Sequence, residues 1–134
     1  MSKYIFYPGC SMESSARAYY DSLMEIAKPL GITLMEIDDW NCCGATEYVG
    51  MNLIPAYSLI ARNLALAAKM KNGTNTVVAP CSACYLNLAK ADYYMANDPR
   101  WEKRSTKRWT RADCTMTPVP SISATCWMSS STTS

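Results

Sequence analysis

The sequence has 134 residues, with 13 basic and 11 acidic side chains, seven cysteines and no histidine. The absence of imidazole excludes Ser-His-Asp and Cys-His nucleophiles, His-liganded zinc, Rieske centres and haem held by a proximal histidine. The length suits one ordinary domain, and a hydrophobic content of 49% is enough to fill its core without disulfides. The formal charge of +2 indicates no particular class of partner.

The first hundred residues alternate short β-type runs with amphipathic helical patterns, which predicts an α/β fold of parallel βαβ units. A first strand is expected at 4–7, closed by Pro8-Gly9, and a second at 32–37. Between them a helix ending near Gly31 is predicted by an apolar stripe of Ala16, Tyr20, Leu23, Ala27 and Leu30.

The pattern continues with a longer helix, for which Asn52 is the predicted N-cap and 71–73 the predicted end. Its inward stripe is expected to be Leu53, Tyr57, Ile60, Leu64 and Ala67 or Ala68. A third strand is predicted at 76–79 and a third helix at about 82–96. These elements complete a 1–99 domain.

Composition changes abruptly after this domain. Residues 101–134 contain fourteen Ser or Thr, three Trp and no Leu, so they have little aliphatic surface to bury. We expect a disordered or poorly packed tail over 100–134, and we interpret it as a possible out-of-frame segment. Its basic residues alternate with Trp101 and Trp109, but no nucleic-acid motif accompanies them, so no nucleic-acid partner is expected.

The sequence contains no apolar stretch of signal-peptide or membrane-span length; the longest, 59–70, is interrupted by Arg62, Asn63 and Lys69. We therefore expect a cytoplasmic protein without a membrane span. Disulfides are rare in that reducing compartment, so the cysteines point to metal binding or redox chemistry.

Five cysteines follow predicted strands: Cys10 the first, Cys42 and Cys43 the second, Cys81 and Cys84 the third. Strand-to-helix loops of a parallel sheet lie along one carboxyl edge, so the five sulfurs are expected to converge in one pocket. Soft thiolate ligands select zinc, Cu(I) or iron–sulfur clusters. The Cys-x-x-Cys pair opens a helix, whose dipole is expected to lower the thiol pKa.

These motifs resemble the cysteine-rich CCG domain found in heterodisulfide reductases. The resemblance covers residues 4–99 and is carried by YPGC at 7–10, NCCG at 41–44 and APCSACY at 79–85. The complete heterodisulfide reductase subunit that contains this domain carries a second CCG copy. This sequence has no second Cys-Cys-Gly, so the chain resembles a form truncated to the first copy.

The resemblance implies that Cys10, Cys42, Cys43, Cys81 and Cys84 bind a noncubane [4Fe-4S] cluster. It implies reductive cleavage of a small-molecule disulfide, such as that of coenzymes M and B in anaerobic methanogenesis, to two thiols. The implied partners are a cubane iron–sulfur subunit and a flavin subunit. Related domains occur in lactate, glycolate and succinate oxidoreductases, so an electron-transfer role there is an alternative.

Other interpretations of the thiols remain open. Four of the five sulfurs suit a zinc-binding structural or assembly module. Thiol-disulfide exchange through Cys81 and Cys84 alone is a further possibility, as is a set of small buried hydrophobic residues. Glu47, close after the adjacent pair, is a speculative proton relay, with an exposed carboxylate as the ordinary alternative.

Overall fold

The computed structural model describes residues 1–70, 74, 76–98 and 123–125. In chain order its elements are β1 (Ser2–Phe6), α1 (Cys10–Glu13), α2 (Arg17–Ala27), β2 (Ile32–Glu36), α3 (Glu47–Met51), α4 (Leu53–Lys69), β3 (Thr76–Val78), α5 (Ser82–Asn97) and β4 (Ser123–Thr125). Helical segments therefore separate the first three strands, as βαβ connections require.

The described strands form one parallel sheet in the order β2-β1-β3-β4. β1 pairs with β2 over its whole length, from Ser2 opposite Ile32 to Phe6 opposite Glu36. On its other side β1 pairs with β3, and β3 pairs with β4. The predicted parallel α/β class is confirmed, and the central position of β1 sets its carboxyl end between those of β2 and β3.

The core lies on both faces of this sheet, because alternate side chains of a strand point to opposite faces. Ile5 and Tyr7 belong to a larger cluster with buried residues of α4 and α5. Phe6 belongs to a smaller cluster with Met12 of α1 and Leu23 of α2. The sheet, whose strands lead into the cysteine loops, thus lies between two packed layers.

The predicted helical stripes are confirmed in their middles and wrong at their ends. Ile60 and Leu64 of α4 are fully buried, but Leu53 in its first turn is 45% exposed. Leu30 is 57% exposed because α2 ends at Ala27, three residues before it. Two short helices, α1 and α3, have too few residues to show a period, and the sequence did not predict them.

Most of the predicted tail lies outside the described residues, including Cys114, Cys126, Trp101 and Trp109. Its disorder, its out-of-frame origin and the domain boundary at residue 99 stay predictions. The described strand β4 falls within it and was not predicted. Among the described helices, none combines the length and the apolar character needed to cross a membrane.

Candidate metal centre

The five cysteines singled out by the sequence follow the carboxyl ends of the first three strands. Cys10 is the first residue of α1, four residues after β1 ends. Cys42 and Cys43 lie in the segment between β2 and α3, and Cys81 is the N-cap residue of α5, with Cys84 in the first turn of that helix. The sheet therefore brings all of these positions to one edge.

The thiols make direct contacts between loops that are distant in sequence. The Sγ atoms of Cys10 and Cys42 are 3.5 Å apart, and those of Cys43 and Cys84 are 3.4 Å apart. Cys81 lies three residues before Cys84 and close enough to influence the Cys84 thiol. The predicted convergence is confirmed for these two pairs, and the peptide bond between Cys42 and Cys43 connects one pair to the other.

The group has a buried half and an open half. Cys43 and Cys84 are only 2% and 3% exposed, and their contact lies inside the larger core cluster. Cys10 is exposed, and Cys42 is intermediate. A bound group at this site would be sheltered by the protein on one side and reachable from solvent on the other.

The two buried thiols have pKa values shifted in opposite directions. The pKa of Cys43 is lowered to about 6, chiefly because the Cys84 thiol donates a hydrogen bond to its sulfur; burial opposes this effect. The pKa of Cys84 is raised because its proton serves that bond and because it is buried. The sequence expectation of a lowered pKa for the Cys-x-x-Cys pair is therefore wrong for Cys84.

The pKa values of Cys42 and Tyr7 are also shifted. Burial raises the pKa of Cys42, while a hydrogen bond from the Gly44 N–H, 3.3 Å from its sulfur, acts in the opposite direction. Burial also raises the pKa of Tyr7, and the nearby cysteines raise it further. The Tyr7 hydroxyl therefore stays protonated, and it donates a 2.8 Å hydrogen bond to the carbonyl of Asn41.

Gly9 allows the first loop to approach the buried sulfur. A Cβ atom at this position would lie 2.8 Å from the Sγ of Cys84, and the residue has a φ of +80°. Both the close approach and the left-handed backbone require glycine. The Pro8-Gly9 turn thus sets how near the Cys10 loop comes to α5.

Asparagine side chains, which the sequence analysis did not single out as site residues, hold the second loop, the segment between β2 and α3 that carries Cys42 and Cys43. The fully buried Asn63 of α4 accepts a 2.9 Å bond from the Asn41 N–H and donates a 2.8 Å bond to the Asn41 carbonyl. Asn41 in turn donates to the carbonyls of Cys42 and Leu59. Arg62 pairs with Asp39 on the same loop.

Asn87 of α5 holds the same loop from the other side. It is 7% exposed and donates to the carbonyls of Cys43, at 3.3 Å, and Ala45, at 2.7 Å. The sequence contains one signal for such residues, namely an asparagine at a position where the helical pattern calls for a buried apolar side chain. In the sequence, Asn63 stood out only as an interruption of the apolar stretch 59–70.

Glu47 lies at the start of α3, and its side chain is exposed. Its carboxylate accepts a 3.1 Å hydrogen bond from the backbone N–H of Thr46. The geometry therefore gives this side chain a local role in the turn before α3. A proton-relay role stays a prediction.

The donor set fits a sulfur-ligated group. All five side chains are free thiols, and thiolates are the ligands of iron–sulfur clusters. Among the described residues no group of three or more His, Cys, Asp or Glu side chains is arranged around a single metal ion. The sulfurs form touching pairs, so they would have to spread around any bound group. Five thiols exceed the four ligands of a structural zinc ion and also the four of the common iron–sulfur clusters, so the number of thiols alone does not choose between them.

A comparison with known proteins finds a relative in Wolinella succinogenes, the membrane anchor subunit of 8-methylmenaquinol:fumarate reductase. The two sequences are 38% identical over 89 residues. That alignment covers 66% of this chain and 30% of the relative, so the chain spans less than a third of the relative's length.

The same part of the chain matches a protein family. Residues 4–89 match the CCG family, described as a cysteine-rich domain, and this class is associated with iron–sulfur clusters. The matched range contains the last three residues of β1, all of β2 and β3, and all five cysteines. The chain therefore belongs to the CCG family of cysteine-rich domains.

Proposed function

We propose that this chain binds an iron–sulfur cluster through Cys10, Cys42, Cys43, Cys81 and Cys84 and transfers electrons within a multi-subunit oxidoreductase. The observation that carries the proposal is the convergence of five free thiols from three separate loops. A bound cluster supplies one-electron storage. The protein's own residues supply thiolates, burial and backbone hydrogen-bond donors.

An electron-transfer role is supported by the two-sided exposure of the site. The buried pair, Cys43 and Cys84, gives the low-dielectric surroundings that influence the potential of a cluster. The exposed Cys10 leaves a short path to a redox partner. The relative is named as a subunit of a quinol:fumarate reductase, which supports a respiratory-type complex as the setting. A cytoplasmic location stays a prediction.

Heterodisulfide cleavage is the second candidate. The exposure of Cys10 beside Cys42 favours it, because a small disulfide can reach this side of the site. The noncubane form of the cluster, the cubane and flavin partner subunits and a place in methanogenesis belong to this candidate alone. Cleavage would consume two electrons and two protons per disulfide and yield two thiols, so two singly reduced chains are needed for each disulfide.

The first experiment tests cluster binding. The full chain is purified anaerobically, and its iron and acid-labile sulfide are measured beside single Cys→Ser variants. We expect about four irons per chain and a broad charge-transfer absorption. Each of the five ligand variants should lose most of its iron, whereas the matched controls Cys114→Ser and Cys126→Ser should keep it. A colourless chain with one zinc would instead support the structural alternative.

The second experiment separates the two redox candidates. The iron-loaded chain is reduced chemically, then mixed with either a soluble one-electron acceptor or a small aliphatic disulfide. We expect rapid oxidation by the acceptor and no release of thiols from the disulfide. Release of two thiols per disulfide, lost in Cys10→Ser, would establish the second candidate in place of electron transfer alone.

A further inference from the structure

The turn that follows the adjacent cysteines has an unusual backbone. Gly44 and Ala45 have consecutive positive φ angles, +74° and +44°. Glycine adopts this region freely, but a residue with a Cβ has a steric cost there. Such a conformation persists when surrounding contacts hold it, so Ala45 needs an external restraint.

This turn directs backbone donors at the sulfurs. The N–H of Gly44 donates to the Sγ of Cys42 at 3.3 Å. Cys43 differs: beside its contact with Cys84, its pKa is lowered by the Ala45 amide and also by the Asn87 side chain itself. Successive amides in a turn of this kind create a concavity that favours negative charge. The Cys42 sulfur therefore receives a donor from the residue two positions later.

Asn87 supplies the restraint that Ala45 needs. Its Nδ2 group donates to the carbonyls at both ends of the turn, 3.3 Å from Cys43 O and 2.7 Å from Ala45 O. The side chain is 7% exposed and belongs to α5, the helix that also carries Cys84. The Cys43 carbonyl and the Gly44 N–H belong to one peptide group, so holding that carbonyl fixes the N–H that points at the Cys42 sulfur.

We propose that Asn87 is a positioning residue that holds the Gly44-Ala45 turn, so that the backbone N–H of Gly44 donates to the sulfur of Cys42 and raises the reduction potential of the bound cluster. The inference rests on the proposed cluster binding. Its physical basis is that hydrogen bonds to cluster sulfurs favour the more negatively charged, reduced state.

The experiment compares Asn87→Leu, Ala45→Gly and the double variant with the unchanged full chain. Leucine fills a similar volume without donors, while glycine adopts the left-handed turn without needing the restraint. The midpoint potential of each iron-loaded chain is measured by redox titration with electron paramagnetic resonance. Amide exchange of Gly44 is measured separately in the iron-free chains.

We expect Asn87→Leu to shift the midpoint potential to more negative values and to speed exchange of the Gly44 amide by about tenfold, as loss of a protecting hydrogen bond requires. Adding Ala45→Gly should return the potential toward its starting value. Ala45→Gly alone should change the potential little. If Asn87→Leu does not fold, Asn87→Ser, which is too short to bridge both carbonyls, replaces it.

An unchanged potential in Asn87→Leu would overturn the inference, and so would a shift that Ala45→Gly fails to reverse, because that result assigns Asn87 to packing or to its direct effect on the Cys43 thiol. If the unchanged chain holds no iron, the proposed function fails and the role in setting a potential fails with it. The amide exchange of the iron-free chains then still decides whether Asn87 holds the turn.

Discussion

Gly9 and Gly31 share a left-handed backbone but have different surroundings. Gly9 has a φ of +80° and faces the Cys84 sulfur, whereas Gly31 has a φ of +64° and open space where a Cβ would be. Alanine at either position should lower the free energy of unfolding by about 1–2 kcal/mol through backbone strain. Gly9→Ala should in addition reduce the iron content, because its Cβ displaces Cys84.

Urea unfolding of the iron-free chains and iron analysis of the loaded chains separate these two effects. Gly31→Ala is the matched control, with strain but no contact at the site. Equal iron contents in the two variants would show that the distance between the Gly9 loop and α5 does not matter for the centre.

Single residues differ in how well the sequence predicted them. Cys10 and Cys81 were predictable because each follows a β-type run and precedes a helical pattern, and the structure brings them to one edge. Asn63 and Asn87 were not predicted, since an amide at a core position bonds to backbone groups that only the folded chain brings near it. Tyr7 was assigned to a strand, although its hydroxyl reaches the second loop.

At the scale of elements, one face of α5 serves both the core and the candidate centre. Cys84, Asn87, Leu88 and Ala91 are its buried residues and recur at helical spacing, so packing of this face also positions the thiol. Leu88 is fully buried, whereas Leu86 is 49% exposed. Leu88→Ala should therefore cost about 2–5 kcal/mol of stability, and Leu86→Ala about 0.5 kcal/mol or less.

Urea unfolding of the iron-free chains, with the slope of the transition compared between variants, measures this difference. Similar losses for Leu88→Ala and Leu86→Ala would mean that α5 does not pack through the face described. Both variants carry the same substitution on one helix, so differences in helix propensity cancel.

Element types were predictable and their ends were not. The strand expected at 32–37 is β2 (Ile32–Glu36), and the helix expected at about 82–96 is α5 (Ser82–Asn97). The spacing of apolar residues along the chain shows which face of an element is buried, and this spacing identified these elements. α1 and α3 span 4 and 5 residues, less than the window in which a period is visible, so local turn geometry at the site decided them.

At the scale of the whole molecule, the candidate centre depends on β1 to β3 and the helices that follow them, all of which precede residue 99. The strand β4 pairs with β3, from Thr76 opposite Ser123 to Val78 opposite Thr125, and therefore covers the outer edge of β3. The region before residue 99 and the later strand thus have separable roles: the first holds the thiols, and the second closes one side of the sheet.

A chain ending at residue 99 tests this separation. It should bind as much iron per chain as the full chain, because every predicted ligand is retained. It should also associate with itself more strongly at high concentration, since an uncovered parallel edge offers unpaired N–H and C=O groups to another molecule. Iron analysis and light scattering over a range of concentrations measure the two properties. Loss of iron together with a monomeric state would contradict these separate roles and show that β4 helps to hold the candidate centre.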